Sequence, residues 1–360
     1  MRWWIPRFLV LAVVALIAYL GFKPVPIDPL PWAGSPNDGF VGPYAENDLL
    51  AAADLIPMPG AGPEHVTTGP DGAVYAGLAD GRIVRIEPAD RTVSVWAETG
   101  GRPLGLRFDS AGHLIVADAK RGLLRIDSTR RATVLADHAG GEPIRFADGV
   151  DIAPDGTIWF SDASLRWGVE TGGVLDFWES RPTGRLIAYD PRTGVTRVAL
   201  DSLDFGNGVA VAPGGGWLLI NETMSGRIRR FWLAGPKAGQ SEIFIEGLPG
   251  LPDNLSYDGN GTFWVGLFGP RSGATTVIRR LPPWLRKVIY RIPERLRVSE
   301  APHHGMVIGL DSLARVRYNL QDPTGRFYTT TGAIPAGGDL YVSTLAGGAV
   351  ARVRMPEPVP

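Results

Sequence analysis

The chain has 360 residues, 44% of them hydrophobic, with 47 glycines and 31 prolines. This hydrophobic fraction supports a large core and excludes wholesale disorder, and so many turn-forming residues favour short strands over long helices. Because 36 basic residues balance 37 acidic ones and cysteine is absent, the composition argues against nucleic-acid binding and excludes disulfides, thiolate zinc sites and a cysteine nucleophile.

The N-terminal segment indicates a membrane anchor. Residues 8–22 are uncharged and apolar, and they follow Arg2 and Arg7. Together with the preceding residues they reach the ~20 that a helix needs to cross a bilayer, and no small-x-small cleavage motif ends the run. We therefore expect residues 1–22 to form a single-pass transmembrane anchor, with a cleaved signal peptide as the alternative. Since basic flanks stay cytoplasmic, the rest of the chain is expected on the extracytoplasmic side.

A proline-rich stretch follows. Six prolines lie between residues 23 and 48, and such a composition favours an extended, semi-rigid linker. The alternative is that part of the stretch packs along the surface of the next domain.

From about residue 60 onward the chain repeats one unit. A turn that ends in glycine precedes a short apolar strand six times, and the turn glycines are Gly72, Gly112, Gly156, Gly215, Gly261 and Gly338. Most intervals are close to the ~40 residues of one propeller blade, and the longer ones indicate insertions, the largest at about 268–306. The sequence therefore predicts an all-β six-bladed β-propeller over residues 49–360, closed by a strand near residues 49–56.

The largest insertion has a helical pattern of its own. Residues 279–297 contain seven basic residues and one acid, and their apolar residues fall on one helical face. A basic amphipathic helix of this kind is typical of a membrane-surface contact, which we expect for residues 280–297, and it could also cover the channel as a lid. The alternative is that its apolar face packs on the propeller.

Equivalent positions at the start of the inner strands carry acids. Counted back from the turn glycines, these positions are Glu64, Leu104, Asp148, Asn207, Asp253 and Thr330. Inner strands line the central channel of a propeller, so these side chains are expected to converge. Three carboxylates at one point repel unless a cation lies between them, and Ca²⁺ prefers such oxygen ligands. We expect Glu64, Asp148, Asn207 and Asp253 to bind Ca²⁺; a solvated polar mouth without an ion is the alternative.

The motifs resemble a known family. FADGVDIAPDGTIWFSDAS (146–164) and LPGLPDNLSYD (248–258) are similar to those of strictosidine synthase-like proteins, and RIRRFWLAGPKAGQSEIF (227–244) is similar to the adipocyte plasma membrane-associated branch. The resemblance covers roughly residues 45–355. It implies a relation to the regucalcin/gluconolactonase and paraoxonase propellers, which hold calcium in the channel and hydrolyse lactones or aryl esters. Carried over, it places the four predicted ligands on their calcium site, with Asp148 where those relatives have Asn.

Two departures narrow the expected chemistry. The stretch 329–338 contains no acid, whereas the plant synthase has its catalytic glutamate near this strand, so a strictosidine synthase-like condensation is disfavoured. The histidine pair of the paraoxonases is also missing at the expected position. Strand alternation places His65 opposite Glu64 as a structural residue, and His303 and His304 are expected to be loop residues rather than a catalytic dyad.

The leading hypothesis is a membrane-anchored, calcium-dependent hydrolase of the lactonase or arylesterase type, acting on a small-molecule ester or lactone. In it Asp253 is both a ligand and the candidate base, Asn254 adds a ligand or orients substrate, and Arg145 binds an anionic substrate group. The alternative is a non-catalytic propeller that binds a lipid, a glycan or a protein.

Overall fold

Two compact units make up the molecule. The computed structural model describes residues 4–171, 173–297 and 303–359, so Arg2 lies outside the described residues. Within this part, the larger unit contains residues 35–171, 173, 182–271 and 303–359. The smaller unit is assembled from three separate segments, namely residues 4–34, 174–181 and 272–297.

The larger unit contains six four-stranded antiparallel sheets. One additional strand, β1 (Asp54–Pro57), precedes the first blade. The strands of blades one to three follow in chain order. Blade one has β2 (Val66–Thr68), β3 (Val74–Gly77), β4 (Arg82–Ile86) and β5 (Val93–Glu98). Blade two has β6 (Pro103–Phe108), β7 (Leu114–Asp118), β8 (Gly122–Ile126) and β9 (Ala132–Ala136), and a hairpin of β10 (His138–Ala139) and β11 (Glu142–Pro143) follows it. Blade three has β12 (Ala147–Ile152), β13 (Ile158–Asp162), β14 (Gly184–Asp190) and β15 (Val195–Leu203).

The remaining blades repeat the pattern. Blade four has β16 (Gly206–Val211), β17 (Trp217–Glu222), β18 (Arg227–Trp232) and β19 (Ser241–Ile245). Blade five has β20 (Gly250–Tyr257), β21 (Phe263–Pro270), β22 (Gly305–Leu310) and β23 (Val316–Asp322). Blade six has β24 (Thr330–Ala336), β25 (Asp339–Thr344) and β26 (Ala349–Arg354), with β1 as its fourth strand.

The blades close into a ring. The inner strands contact one another in the cyclic order β2, β6, β12, β16, β20 and β24, and β24 contacts β2 again. The outer edge of the last blade is completed by β1, which pairs antiparallel with β26 so that Leu55 faces Ala351 and Ile56 faces Val350. The predicted six-bladed propeller is therefore confirmed.

The turns between the first two strands of each blade explain why a glycine recurs before each apolar strand in the sequence. Gly72, Gly156 and Gly338 have φ of 79°, 87° and 88°, a backbone region that glycine enters without steric cost. Aspartates fix two of these turns, because Asp71 Oδ1 accepts a 3.2 Å hydrogen bond from Ala73 N and Asp155 Oδ1 accepts a 2.9 Å hydrogen bond from Thr157 N. Each turn thus reverses the chain between the first and second strand of its blade.

The apolar core lies between neighbouring blades. One cluster joins blades four and five and includes Ala210, Leu219, Leu255 and Val265. Because apolar side chains from both faces of each sheet are buried in this way, the strands carry nearly continuous hydrophobic runs. Burial of such area, at about 25 cal/mol per Å², is the main force that holds the blades together.

The smaller unit is helical, and we call it the helical unit. It contains α1 (Trp4–Phe22), α2 (Val174–Glu179), α3 (Gly273–Arg280), α4 (Pro283–Tyr290) and α5 (Glu294–Arg297). Arg286 is fully buried at its centre. Its guanidinium donates 3.0 and 2.9 Å hydrogen bonds to Trp178 O and Ser180 Oγ, and it also contacts Leu30 O. This one side chain therefore links all three segments of the helical unit.

Helix α1 confirms the helix that the sequence predicted at the N-terminus. Its apolar side chains are largely exposed, with Phe8 74%, Ile17 63% and Phe22 83% accessible. Among the residues that the structure describes, however, no helix has both the length and the apolar character needed to cross a membrane. The helix is confirmed, whereas its predicted crossing of a membrane is not.

Candidate metal centre

Three of the predicted channel ligands lie in β-bulges of the inner strands. In blade three the pairing with the next strand shifts register between Ala147 and Val150, and blades four and five show the same shift. Asp148, Asn207 and Asp253 lie within these shifts. A bulge breaks the alternation of a strand and turns a side chain in a new direction. The repeated bulge is therefore what aims these side chains at one point.

A glycine follows the bulged residue in four blades: Gly105, Gly149, Gly208 and Gly332. A β-carbon on Gly149 would lie 2.6 Å from Val209 N and 2.7 Å from Asn207 O, which belong to the next inner strand. A side chain at this position would push the strands apart, so glycine permits the close approach that the channel requires.

Three carboxylates converge at the channel. One oxygen each from Glu64, Asp148 and Asp253 lies within 4.8 Å of the others. All three side chains are buried, with at most 6% of each residue accessible. The structure thus brings together the three acids that the residue count had singled out in the sequence, although they come from blades one, three and five.

Five buried oxygens have no hydrogen-bond partner among the described residues. They are Glu64 Oε2, Asp148 Oδ1, Asn207 Oδ1, Asp253 Oδ1 and Asn254 Oδ1. An unsatisfied buried polar atom costs about 1–3 kcal/mol, so five at one place call for a bound group. Carboxylate and amide oxygens without nitrogen or sulfur ligands fit a hard cation such as Ca²⁺. The donor set therefore fits the ion that the resemblance implied.

Burial also disturbs the protonation of these acids. It raises the pKa of Glu64 to about 7, although the charge of Arg102 and the amide of Asn254 oppose the shift. Burial, followed by the charge of Glu64, raises the pKa of Asp148 and Asp253 well above the usual range. Protons remain on this cluster at a pH where exposed carboxyls have lost theirs, unless a cation replaces them.

Arg102 is a member of the site that the sequence did not indicate. It is buried, and its guanidinium donates a 3.0 Å hydrogen bond to Gly62 O. Burial lowers its pKa, while the charges of Glu64 and Asp148 oppose this shift. Arg102 precedes the bulged residue Leu104 by two positions, and this offset was the only sequence signal that could have pointed to it.

Asn254 orients the first carboxylate. Its Nδ2 donates a 2.8 Å hydrogen bond to Glu64 Oε1 and a 3.1 Å hydrogen bond to Glu64 O. The amide oxygen then faces away from these contacts and has no partner among the described residues. Asn254 therefore fits the role of a fifth oxygen ligand as well as that of a positioning residue.

The sixth blade corrects the predicted register. The bulge of β24 lies between Thr330 and Ala333 and contains Thr331. Thr330 Oγ1 donates to Leu267 O and Met306 O at 2.9 and 2.7 Å, so it is used within the blades. Thr331 Oγ1 instead donates to Glu64 O. The channel position is Thr331, because the segment between the bulge and the turn glycine Gly338 is one residue shorter than the count assumed.

The other predicted residues lie outside the carboxylate cluster. Arg145 is exposed, and its backbone nitrogen donates to Asp162 Oδ1 at 3.2 Å. His65 is buried, and burial together with the charge of Arg107 lowers its pKa to about 3. Its ring therefore stays neutral, as a structural residue would.

The adjacent histidines are held apart by different partners. The ring of His303 stacks on Tyr328 with centroids 3.8 Å apart. His304 is buried, stacks on Phe40 and lies 3.0 Å from Gln321 Oε1 through Nε2. These separate contacts leave each ring with a packing role.

Comparisons with known proteins point to one family. The strictosidine synthase family model matches residues 148–236, and the strictosidine synthase-like N-terminal model matches residues 42–86. Strictosidine synthase-like protein 7 of Arabidopsis thaliana is 35% identical over 302 residues, which cover 78% of each chain. The human adipocyte plasma membrane-associated protein is 31% identical over 342 residues, which cover 88% of this chain and 82% of the relative.

Solved structures share the fold at lower identity. A gluconolactonase from Xanthomonas campestris aligns with a TM-score of 0.62 and 18% identity, over 84% of this chain and 90% of its own. Regucalcin from Agrobacterium tumefaciens, described as a calcium-binding protein, aligns with a TM-score of 0.56 and 15% identity, over 86% and 97%. With two relatives above 30% identity over most of their length, the chain belongs to the strictosidine synthase-like family.

Proposed function

We propose that this protein is a calcium-dependent hydrolase of small esters or lactones. The observation that carries the proposal is the set of five buried, unpartnered oxygens that the inner strands of blades one, three, four and five bring to the channel. The same fold occurs in a protein named a gluconolactonase and in one described as calcium-binding. The missing acid in residues 329–338 argues against the condensation that gives the family its name.

The residues that would hold the ion are Glu64, Asp148, Asn207, Asp253 and Asn254. Calcium bound there would supply the positive charge that polarises an ester carbonyl and stabilises the oxyanion. Asp253 is the proposed general base, because its carboxylate can take a proton from the attacking water. Asn254 holds Glu64 in place by two hydrogen bonds, and Arg145 is proposed to bind an anionic group at the rim of the site.

We also propose that the protein is attached to a membrane through α1, with the propeller on the extracytoplasmic side. Exposed apolar side chains along α1 support the attachment, as does similarity to proteins named plasma membrane-associated. Residues 280–297 would add a basic contact with the membrane surface.

Activity assays with and without a chelator test the catalytic proposal. The purified protein is expected to hydrolyse phenyl acetate or small lactones in calcium and to lose this turnover in EGTA, with recovery when calcium is restored. Calcium binding by calorimetry without turnover of any of these substrates would instead favour the non-catalytic propeller. Turnover that is insensitive to the chelator would contradict the role of the ion.

A further inference from the structure

A cavity of about 300 Å³ lies within the helical unit at the C-terminal end of α1. Tyr19 lines it from the last turn of α1 and Tyr290 and Arg297 from the ends of α4 and α5, and the lining also includes Lys23 and Arg291, the residues that directly follow α1 and α4. It lies wholly within one unit, since all these residues belong to segments 4–34 and 272–297.

The lining of the cavity is positively charged. Three cations, Lys23, Arg291 and Arg297, face a single carboxylate, Glu294. Lys23 Nζ lies 3.0 Å from the hydroxyl of Tyr19, so an ammonium and a phenol are presented together. These groups donate hydrogen bonds, and an oxygen-rich anion is the ligand that such a set recognises.

Arg297 has unused donor capacity inside the protein. Its Nη1 donates a 3.0 Å hydrogen bond to Tyr290 O, and its guanidinium lies 4.1 Å from the centre of the Tyr290 ring. Its Nε is buried and has no hydrogen-bond partner among the described residues. The contacts with Tyr290 thus hold the charge of Arg297 in the lining of the cavity.

Arg291 fastens the wall of the cavity to α1. Its Nε donates a 2.6 Å hydrogen bond to Lys23 O, and its Nη1 donates a 3.0 Å hydrogen bond to Leu20 O. These carbonyls lie at the C-terminal end of α1, where cations are favourable. The cavity is thus fixed at the end of a helix whose apolar side chains are exposed.

We propose that this cavity binds the phosphate-bearing headgroup of an anionic phospholipid. The inference rests on the proposed membrane attachment through α1 and names the lipid class that the attachment selects. Charge complementarity favours an anionic headgroup over a neutral one. The exposed apolar surface of α1, from Ile17 to Phe22, favours a lipid over free phosphate, because it offers acyl chains a place to pack.

Vesicle flotation of the full chain tests the proposal. Wild type is expected to bind phosphatidylcholine vesicles and to bind more tightly when they contain phosphatidylglycerol. Lys23→Ala with Arg297→Ala should weaken this anionic preference roughly 30-fold, since each basic residue near an anionic surface contributes about 1 kcal/mol, or fivefold. Arg125→Ala with Arg131→Ala removes the same charge from exposed propeller positions and should change the preference less than threefold.

Further variants and conditions distinguish a loss of folding, a different ligand and a failure of membrane attachment. Arg297→Lys retains the charge and should retain the preference, and circular dichroism checks that the variants fold. Equal losses in both double variants, or a preference that inorganic phosphate abolishes at constant ionic strength, would overturn the headgroup proposal. If wild type floated equally well with both vesicles, the headgroup proposal would be wrong while the attachment stood. If the wild-type protein floated with neither kind of vesicle, the proposed membrane attachment itself would be wrong.

Discussion

At the level of single residues, the channel combines charges that do not balance by themselves. Glu64, Asp148 and Asp253 would carry three negative charges when ionised, and the nearby buried Arg102 offsets one of them. Burying uncompensated charge costs several kcal/mol per ion. The remaining charge of −2 equals the charge that a divalent cation neutralises, which is the electrostatic reason to expect Ca²⁺ rather than a monovalent ion.

Replacing Asp253 tests the shared site most directly. Asp253→Ala is expected to lose calcium binding and hydrolysis together, because the shared site loses a charged ligand and the proposed base. At calcium 100 times its dissociation constant, wild type should gain about 2.7 kcal/mol of stability, and the variant far less. Calorimetry and thermal unfolding with added calcium measure both effects.

Leu104→Ala is the matched control, since Leu104 holds the same bulge position without an oxygen ligand. It should lower the stability by ~2–5 kcal/mol through its cavity and leave calcium affinity unchanged. Equal calcium binding by wild type and Asp253→Ala would show that the metal assignment is wrong. If Asp253→Ala retained calcium binding and its turnover were unchanged, Asp253 would be excluded as the general base.

The raised pKa values predict how stability depends on pH. In the absence of calcium the folded protein holds protons on Glu64 that the unfolded chain releases, because the pKa rises from 4.5 to about 7. Folded molecules bind more protons in this window, so the free energy of unfolding should fall as the pH rises from 4.5 through 7. The fall for Glu64 alone is on the order of 3 kcal/mol.

Calcium should flatten this dependence, since the ion replaces the protons. Denaturant titrations at pH 5 and pH 8, with calcium and with EGTA, measure it. A stability that rises with pH in EGTA would contradict the protonated cluster. Glu64→Gln should remove the part of the slope that Glu64 contributes while keeping the shape of the side chain, and the raised pKa values of Asp148 and Asp253 should leave a remainder.

At the level of elements, the bulge explains what the sequence could and could not predict. The glycine turns are local signals, so the blades and the convergence of Glu64, Asp148 and Asp253 followed from counting residues. The count missed Thr331 because the segment that leads to the turn of blade six is one residue shorter. It missed Arg102 because the direction of a side chain beside a bulge depends on how the strand pairs with its neighbour, which spacing alone does not encode.

The helical unit was beyond prediction for a different reason. The sequence indicated an apolar helix and an amphipathic insertion, but their association with residues 174–181 depends on long-range contacts of Arg286 with Trp178, Ser180 and Leu30. No periodicity marks such contacts. Buried arginines are rare, so nothing in the local pattern of residues 279–297 indicated that Arg286 is buried.

Removing residues 280–297 tests the independence of the propeller. These residues belong to the helical unit and supply none of the channel oxygens. With a short glycine-serine linker in their place, the melting temperature of the propeller should change by only a few degrees. Its calcium affinity should change by no more than about twofold. Binding to anionic vesicles should drop. A fall of many degrees without any change in vesicle binding or activity would contradict this separation.

At the scale of the whole molecule, fractionation tests the attachment of the protein to a membrane. The apolar surface of α1 is expected to keep the full chain in the membrane fraction after an alkaline carbonate wash, because hydrophobic insertion survives where surface charge contacts do not. A chain that starts after residue 34 should be released. Recovery of a soluble native protein that begins near residue 23 would instead identify the segment as a cleaved signal.

The pairing of β1 with β26 has a consequence for how the molecule is made. The first strand of the ring finds its partner only in the last strand of the last blade, nearly 300 residues later. Closing so long a loop is slow, and until then β25 lacks its outer neighbour and offers an open edge. A chain released before residue 349 lacks the partner of its own first strand and cannot complete the last blade. Completion of the last blade thereby distinguishes chains that contain β26 from chains that lack it, and the latter expose an edge open to proteolysis and aggregation.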